Sequence, residues 1–253
     1  MKNIINILLI TMFTIACEPS EAVIQKAIYQ TQTAEISTIK TQATKAPIKT
    51  PTPSCEVLSN LKSNWKTILC DTFDNSQSDW YVGKDTSDLA EIDVFINNGQ
   101  YIIDITGKPN TGYKGGVIQW FGLANAQNFM ASIDGKISSK NRGVAWGINF
   151  RGKDNNFFSF VIGKEGWYRL DMLKNNDWFY PIKTKMNNAI KWDDSNNLSI
   201  VAEDEKFYFY VNDILIDSYE SDNKFGTEIS LVVSADEGAS ATFFFDNALI
   251  KTN

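Results

Sequence analysis

The sequence predicts an all-β domain folded as an antiparallel sandwich or jelly roll. After Cys70, apolar and polar residues alternate over short segments, and polar turns separate the segments about every eight to twelve residues. The same part of the chain contains no amphipathic helix of appreciable length. The roughly 200 residues from Cys55 to Asn253 are enough for one domain with a sizeable core.

Residues 1–16 have the pattern of a secretory signal. Lys2 precedes an apolar run that ends at Ala16, and this run is shorter than the roughly 20 residues needed to cross a bilayer. The sequence Thr14-Ile15-Ala16-Cys17 resembles the lipobox of bacterial lipoproteins, although Thr14 stands where leucine is usual. We therefore expect Cys17 to be lipidated and to hold the protein in the bacterial cell envelope, outside the cytoplasm. Ordinary cleavage near Ala16, which leaves a free Cys17 thiol, is the alternative.

Residues 17–54 predict a flexible linker, and residues 55–253 predict the folded domain. Thr, Ala, Gln, Lys and Pro are frequent from Glu18 to Ser54, and Gly, Phe and Trp are absent. Such a segment cannot bury enough apolar area to offset the entropy of ordering. A coil of about 35 residues spans roughly 30 to 35 Å, enough to lift a domain clear of lipid headgroups.

The cysteine and charge content limit the partners and cofactors. With Cys17 lipidated, Cys55 and Cys70 remain, and we expect them to form a disulfide that stabilises the fold by about 3 kcal/mol. Two cysteines without any histidine cannot form a structural zinc site. The net charge of −6 disfavours nucleic acid as a partner. Membrane attachment is therefore expected through the acyl anchor alone.

Several segments predict particular strands and turns. In Gly99–Thr106 the apolar residues Tyr101, Ile103 and Ile105 share one face. Three hairpin turns are predicted, at Gly163–Gly166, Glu203–Lys206 and Asn212-Asp213. The alternating apolar residues around the first turn predict inward, core-packed positions. These are Trp146, Ile148, Phe150, Phe158, Phe160, Ile162, Tyr168, Leu170 and Met172.

The order of these segments resembles a known family over about Asp71 to Thr252. The pieces are DTFDNSQSDWYVG, NNGQYIIDI, GVAWGINFR, NNFFSFVIGKEGWYRL, NNLSIVAEDEKFYFYVNDILI, FGTEISLVV and ATFFFDNALI. Their arrangement is similar to the concanavalin A-like lectin/glucanase jelly roll, and to the laminin-G-like domains of bacterial surface proteins related to the 3-keto-glycoside hydrolase-like family. The resemblance implies the fold more strongly than the function, because this sandwich hosts lectins, hydrolases and structural modules.

Candidate catalytic groups are few. The absence of histidine excludes Ser-His and Cys-His nucleophile pairs and histidine metal sites. Glu91 and Asp93 resemble the start of the Glu-x-Asp-x-x-Glu strand of retaining glucanases, and on a strand they would share a face. Ile96 occupies the position of the second glutamate, whereas retaining hydrolysis needs two carboxyl groups about 5 to 5.5 Å apart. We therefore expect a chance resemblance, with an enzyme using Glu91 and Asp93 as the alternative.

Acidic residues also cluster at predicted turns, at Asp193-Asp194, Glu203–Glu205 and Asp236-Glu237. Solvated turns are the expected explanation, and no cofactor or metal is expected. Calcium stays open as an alternative because the resembling laminin-G-like domains often bind it at the rim of the sandwich, although no segment has EF-hand spacing.

A polar face opposite the predicted core is the candidate ligand-binding site. Planar polar side chains suit sugar hydroxyl groups, and an aromatic plate suits the face of a pyranose ring. The candidates are Asn149, Arg151, Ser159, Trp167, Arg169 and Asp171, with Trp120 or Trp178 as flanking aromatics. The alternative is a solvated face on which Arg151 and Asp171 pair across strands, worth about 0.2 to 1 kcal/mol.

Three functions follow from the sequence. The first is a lipid-anchored surface module that binds a polysaccharide or glycoconjugate without catalysis. The second is a glycoside hydrolase-like enzyme that uses Glu91 and Asp93. The third is a structural or protein-interaction ectodomain.

Overall fold

The computed structural model describes residues 61–74, 80–110 and 117–253, with the backbone alone for residues 117–120. The signal segment, Cys17, the linker and Cys55 lie outside these ranges, so the predictions of cleavage, lipidation, domain boundaries and the Cys55–Cys70 disulfide stay predictions. None of the described residues belongs to a helix long and apolar enough to cross a membrane.

The described residues form fifteen strands. In chain order they are β1 Lys66–Asp71, β2 Gly83–Thr86, β3 Ala90–Asn97, β4 Gln100–Gly107, β5 Val117–Asn125, β6 Phe129–Ser138, β7 Val144–Lys153, β8 Asn156–Gly163, β9 Trp167–Lys174, β10 Asp177–Met186, β11 Asn196–Glu203, β12 Lys206–Val211, β13 Ile214–Glu220, β14 Glu228–Ala235 and β15 Ser240–Thr252.

The strands form two antiparallel sheets that confirm the predicted sandwich. The nine-stranded sheet has the order β13-β12-β11-β6-β15-β4-β3-β2, and β1 pairs with β15. The six-stranded sheet has the order β10-β9-β8-β7-β14-β5. Strands distant in sequence become neighbours, since β15 lies between β6 and β4 and β14 lies between β7 and β5. Two sheets with such crossovers are typical of a jelly roll.

Aromatic side chains fill the space between the sheets. The rings of Phe160 and Phe209 stack with centroids 4.1 Å apart, and Trp146 meets Phe245 edge-on at 5.3 Å. Gly135 leaves room for the Trp146 ring, because a Cβ there would lie 2.5 Å from Trp146 Cζ2. All nine residues predicted as core from the segments around the first hairpin turn are buried in this cluster. The period-two alternation is therefore confirmed for them.

The three predicted hairpin turns are also confirmed. β8 ends at Gly163 and β9 begins at Trp167, and β11 and β12 are joined through the turn that contains Asp204. Asn212 and Asp213 both have positive φ, at 51° and 64°, as a type I′ turn requires. Asparagine and aspartate tolerate this conformation better than most residues.

The segment that begins the described chain covers part of the outer face of the nine-stranded sheet. Leu61, Trp65 and Cys70 pack against a small cluster made of Met130, Val201 and Leu249. Lys62 also reaches Glu203 at 2.7 Å. Part of this face is therefore occupied by the protein's own chain, which directs attention to the outer face of the six-stranded sheet.

Candidate functional site

Four polar residues form one row across the outer face of the six-stranded sheet. Ser230 of β14 lies opposite Asn149 of β7, Asn149 lies opposite Ser159 of β8, and Ser159 lies opposite Asp171 of β9. Their neighbours in sequence, such as Ile148 and Leu170, point into the core. The polar row, as we call Ser230, Asn149, Ser159 and Asp171, therefore arises from strand alternation together with the register of four strands.

Three of the four residues of the polar row are buried although they lie outside the core, and Ser230 is half-buried. Asn149 and Asp171 are each only 3% exposed and Ser159 is 5% exposed. Among the described residues, Asn149 Oδ1 and Asp171 Oδ1 are buried without a hydrogen-bond partner. An unpaired buried acceptor costs about 1 to 3 kcal/mol, so such atoms are uncommon unless something outside the chain donates to them. Both atoms have almost no exposed surface, so a donor from outside reaches them only when the side chains that cover the row move aside.

Arg169 partly neutralises the acidic end of the row. Its Nε donates to Asp171 Oδ2 at 2.8 Å, which leaves Oδ1 of the same carboxylate free. Burial raises the pKa of Asp171 above its usual value, and Arg169 opposes this rise. The alternative prediction that Asp171 pairs across strands with Arg151 was wrong, because its partner is Arg169, two residues away on the same strand.

Trp167 forms a flat aromatic surface on the same face as the row, four residues from Asp171 along β9 with Arg169 between them. A Cβ added at Gly163 would lie only 2.5 Å from Trp167 Nε1, closer than a real contact, so the indole lies directly over this glycine. Small side chains of neighbouring strands support the ring, namely Ala145, Val161 and Val232. The Arg169 guanidinium lies 5.4 Å from the ring centroid. The indole is half-buried and keeps part of its surface open to a ligand.

A hollow lies at each end of this face. One, of about 130 Å³, is bordered by Trp167, Arg169, Ser234 and Asp236. The other, of about 60 Å³, has a lining of Asn149, Gly152, Lys153, Asn155, Phe157, Glu228 and Ser230. Both volumes are small compared with the roughly 300 to 1,000 Å³ of enclosed pockets for drug-sized ligands. The face therefore suits a ligand that lies along a surface.

The two flanking tryptophans are placed differently. Trp178 of β10 lies opposite Leu173 and meets Phe157 edge-on at 5.9 Å, beyond the polar row on the side away from Trp167. It is 36% exposed. Trp120 lies opposite Val232 in the register, but its side chain lies outside the described part.

Arg151 does not belong to this face, and the prediction that it shares a face with Asn149 was wrong. A bulge interrupts β7 between Phe150 and Lys153, where Arg151 has a φ of 55°. The bulge turns the side chain inward, so that Arg151 is 1% exposed and donates through Nη2 to Asp204 O at 2.7 Å. Its guanidinium also lies 5.6 Å from the centre of the Phe207 ring. Arg151 thus closes one end of the sandwich.

Glu91 and Asp93 lie on the other sheet. They share the outer face of β3, as predicted, and Glu91 is exposed. Asp93 forms an ion pair with the exposed Lys84 at 2.8 Å. β3 lies next to the edge strand β2, well away from the polar row. Neither side chain lines a hollow described above, so the geometry adds no support for catalysis there.

The acidic turns act mainly in local structure. Asp194 Oδ1 accepts from the Ser195 backbone, and Asn128 donates to Asp204 Oδ1 at 3.4 Å. Within the described ranges, no group of three or more His, Cys, Asp or Glu side chains is arranged to hold a metal ion. The calcium alternative therefore gains no support from these residues.

Comparisons with known proteins define the fold. No family model matches the sequence, and no curated protein matches it. Solved structures do match. The GlcNAcα1-4Gal-releasing endo-β-galactosidase of Clostridium perfringens is 12% identical with a TM-score of 0.56, and the match covers 75% of this chain and 63% of that one.

Two further matches are close to full length for the other protein. The laminarinase catalytic domain of Thermotoga maritima MSB8 is 11% identical with a TM-score of 0.53, covering 75% of this chain and 98% of that one. The β-glucanase of Bacillus licheniformis is 10% identical with a TM-score of 0.53, covering 74% and 98%. At this identity the likeness concerns the fold alone. The chain has the concanavalin A-like lectin/glucanase jelly-roll fold.

Proposed function

We propose that this protein is a carbohydrate-binding module that holds a glycan on the outer face of the six-stranded sheet and does not cleave it. The observation that carries the proposal is the polar row, which shares its face with Trp167 and in which two buried acceptors, Asn149 Oδ1 and Asp171 Oδ1, lack a donor. Sugar hydroxyl groups supply such donors, and the open surface of an indole suits the apolar face of a pyranose ring.

The construction of the face supports binding more than bond-breaking. Asp171 is the one carboxylate of the polar row, and Arg169 already holds one of its oxygens. Retaining hydrolysis needs a second carboxyl group about 5 to 5.5 Å away, and inverting hydrolysis needs one about 6.5 to 9.5 Å away. The partners of Asp171 in the row are neutral hydroxyl and amide groups. We therefore assign recognition to this face.

The proteins with the same fold make carbohydrate a reasonable ligand class. The solved neighbours include a laminarinase, a β-glucanase and an endo-β-galactosidase. We propose by analogy that this chain also recognises a polysaccharide or glycoconjugate. The predicted anchor at Cys17 and the linker to Ser54 would display the domain on the cell envelope, clear of the membrane surface.

Binding to a panel of glycans tests the proposal. The fragment from Cys55 to Asn253 is titrated against β-1,3-glucan, mixed-linkage β-glucan, galactan and mucin-type glycans by calorimetry. We expect at least one to bind, and Asn149→Ala and Trp167→Ala each to weaken that binding roughly tenfold or more. Arg151→Ala provides a contrast, because the folded variant is expected to bind normally. Absence of binding across the panel would refute the proposal.

The same samples separate binding from hydrolysis. After prolonged incubation the glycan is analysed for new reducing ends, with wild type and Glu91→Gln side by side. We expect neither to release products. Product release that disappears in Glu91→Gln would instead support the hydrolase alternative.

A further inference from the structure

We infer that the polar row selects uncharged glycans of more than one sugar unit, and that Asp171 is the residue that excludes acidic sugars. This inference deepens the proposed function and rests on it. It concerns the chemistry of the ligand, which neither the fold nor the comparisons specify.

The unpaired atoms of the row define the hydrogen-bonding character of the ligand. Asn149 Oδ1 and Asp171 Oδ1 are acceptors, so each needs a donor from the ligand. A sugar hydroxyl group donates, whereas an ionised carboxylate or sulfate only accepts. A ligand that satisfies both atoms therefore presents hydroxyl groups at two places.

The register sets the distance between these two places. Asn149 and Asp171 lie two strands apart, with Ser159 between them. Neighbouring strands are about 4.8 Å apart, so the two residues are separated by roughly 10 Å across the sheet. One pyranose ring does not bring two of its own hydroxyl groups to both acceptors at that separation. The ligand therefore contributes hydroxyl groups from at least two sugar units.

The charges around the row do not favour an anion. The larger hollow is lined by one basic and one acidic residue, Arg169 and Asp236, and the smaller hollow by Lys153 and Glu228. Asp171 adds a buried negative charge, and Arg169 is already bonded to it. The exposed Lys183 of β10 adds one more positive charge to this sheet, so the charged groups named here balance and give an anion no net attraction. An acidic sugar would meet Asp171 in a partly desolvated setting, where repulsion between like charges is strong.

Removing the charge of Asp171 tests the inference directly. Laminari-oligosaccharides of one to six glucose units, a matched galacto-oligosaccharide series and oligogalacturonides of the same lengths are titrated against wild type, Asp171→Asn and the double variant Arg169→Gln/Asp171→Asn. Asp85→Asn, an exposed acid-to-amide change on the nine-stranded sheet, is the matched control. Chemical unfolding verifies that every variant is folded.

We expect wild type to bind a neutral series with affinity that rises at least tenfold from one unit to three, and to bind oligogalacturonides at least tenfold more weakly. Asp171→Asn should bind the neutral series roughly tenfold more weakly, because a hydrogen bond to a charged acceptor is stronger than one to an amide oxygen. It should gain oligogalacturonide binding because Arg169 is no longer neutralised. The double variant should lose this gain, and Asp85→Asn should match wild type.

The outcomes separate the two claims. If wild type binds none of the neutral or acidic series, the proposed function fails together with the inference. If wild type binds oligogalacturonides as tightly as neutral chains, or a monosaccharide as tightly as a trisaccharide, the inference alone is overturned. A neutral-glycan affinity that Asp171→Asn leaves unchanged would also overturn it.

Discussion

Replacing Gly163 by alanine tests whether the Trp167 surface depends on its place above that glycine. The new methyl group would lie 2.5 Å from Trp167 Nε1, whereas ordinary contacts begin near 3.4 Å. Trp167 Cε2 and Cζ2 would lie closer still, so the ring must move by about 1.5 Å or more, and the strands beneath leave it only the outward direction. Overpacking of this kind costs about 1 to 3 kcal/mol.

Gly122→Ala is the matched control on the same sheet. A Cβ at Gly122 meets nothing within 4 Å. Both variants share the gain of about 0.4 to 1 kcal/mol that comes from restricting the unfolded chain. We therefore expect Gly163→Ala to be less stable than Gly122→Ala by about 1 to 3 kcal/mol in denaturant unfolding.

Glycan affinity is the second measurement on this pair. A displaced indole no longer lies flat beside the polar row, so Gly163→Ala should weaken binding nearly as much as Trp167→Ala, by about 2 kcal/mol or roughly 30-fold. Equal stability of Gly163→Ala and Gly122→Ala would refute the assigned position of the ring. Unchanged affinity in a folded, destabilised Gly163→Ala would refute the role of the ring in binding.

Three further predictions concern stability. Arg151→Ala should lower the free energy of unfolding by about 3 kcal/mol, because it removes a buried side chain and leaves the Asp204 carbonyl unpaired. Arg142→Ala, which removes an exposed arginine, should lower it by less than about 1 kcal/mol. Similar losses for the two variants in denaturant unfolding would contradict the inward position of Arg151. Burial alone would raise the pKa of Asp217, but hydrogen bonds, chiefly from Lys185, lower it below its usual value. Asp217 therefore stabilises the folded state above about pH 3.8, and this stabilisation is lost as the pH falls through the lowered pKa. Asp217→Asn should therefore flatten this acid loss, and an unchanged pH profile would argue against the ion pair. The effect of Asp171 on stability depends on pH in the opposite direction. Burial raises the pKa of Asp171, so its contribution to the free energy of unfolding is present below about pH 3.8 and is lost as the pH rises through the raised pKa. Asp171→Asn should remove this decline in unfolding free energy, and a decline that persists in the variant would show that another group causes it.

The core of the sandwich was predictable because its signal is local. Residues such as Phe158, Phe160 and Leu170 repeat with the period of a strand, and the structure buries them as expected. The turn at Asn212-Asp213 was also predictable from the sequence, since these residue types favour positive φ. At these positions the alternation and residue types of the sequence predict the burial and the backbone φ that the structure has.

Arg151 shows where the alternation rule fails. The rule assumes an unbroken ladder, and one bulge after Phe150 reverses the direction of the next side chain. Gly152 inside the strand is compatible with a bulge, but the positive φ falls on Arg151, a residue type that does not mark the position. The ion pair of Arg169 and Asp171 follows from the alternation rule, because residues two apart on one strand share a face.

The remainder of the candidate site depends on pairing between distant segments. Ser230 alternates with Ile229 and Leu231, a pattern that marks it as outward-facing, but its neighbour Asn149 is 81 residues away in the chain. The sequence likewise contains Gly163 and Trp167 without indicating that the ring lies over the glycine. Register between strands decides both features, and a single sequence carries little information about register between distant segments.

The decisive experiment is a structure of the folded domain with a bound neutral oligosaccharide. We expect hydroxyl groups of two different sugar units to donate to Asn149 Oδ1 and Asp171 Oδ1, and one pyranose ring to lie over Trp167. A sugar bound instead on the nine-stranded sheet, beside Glu91 and Asp93, would contradict this expectation.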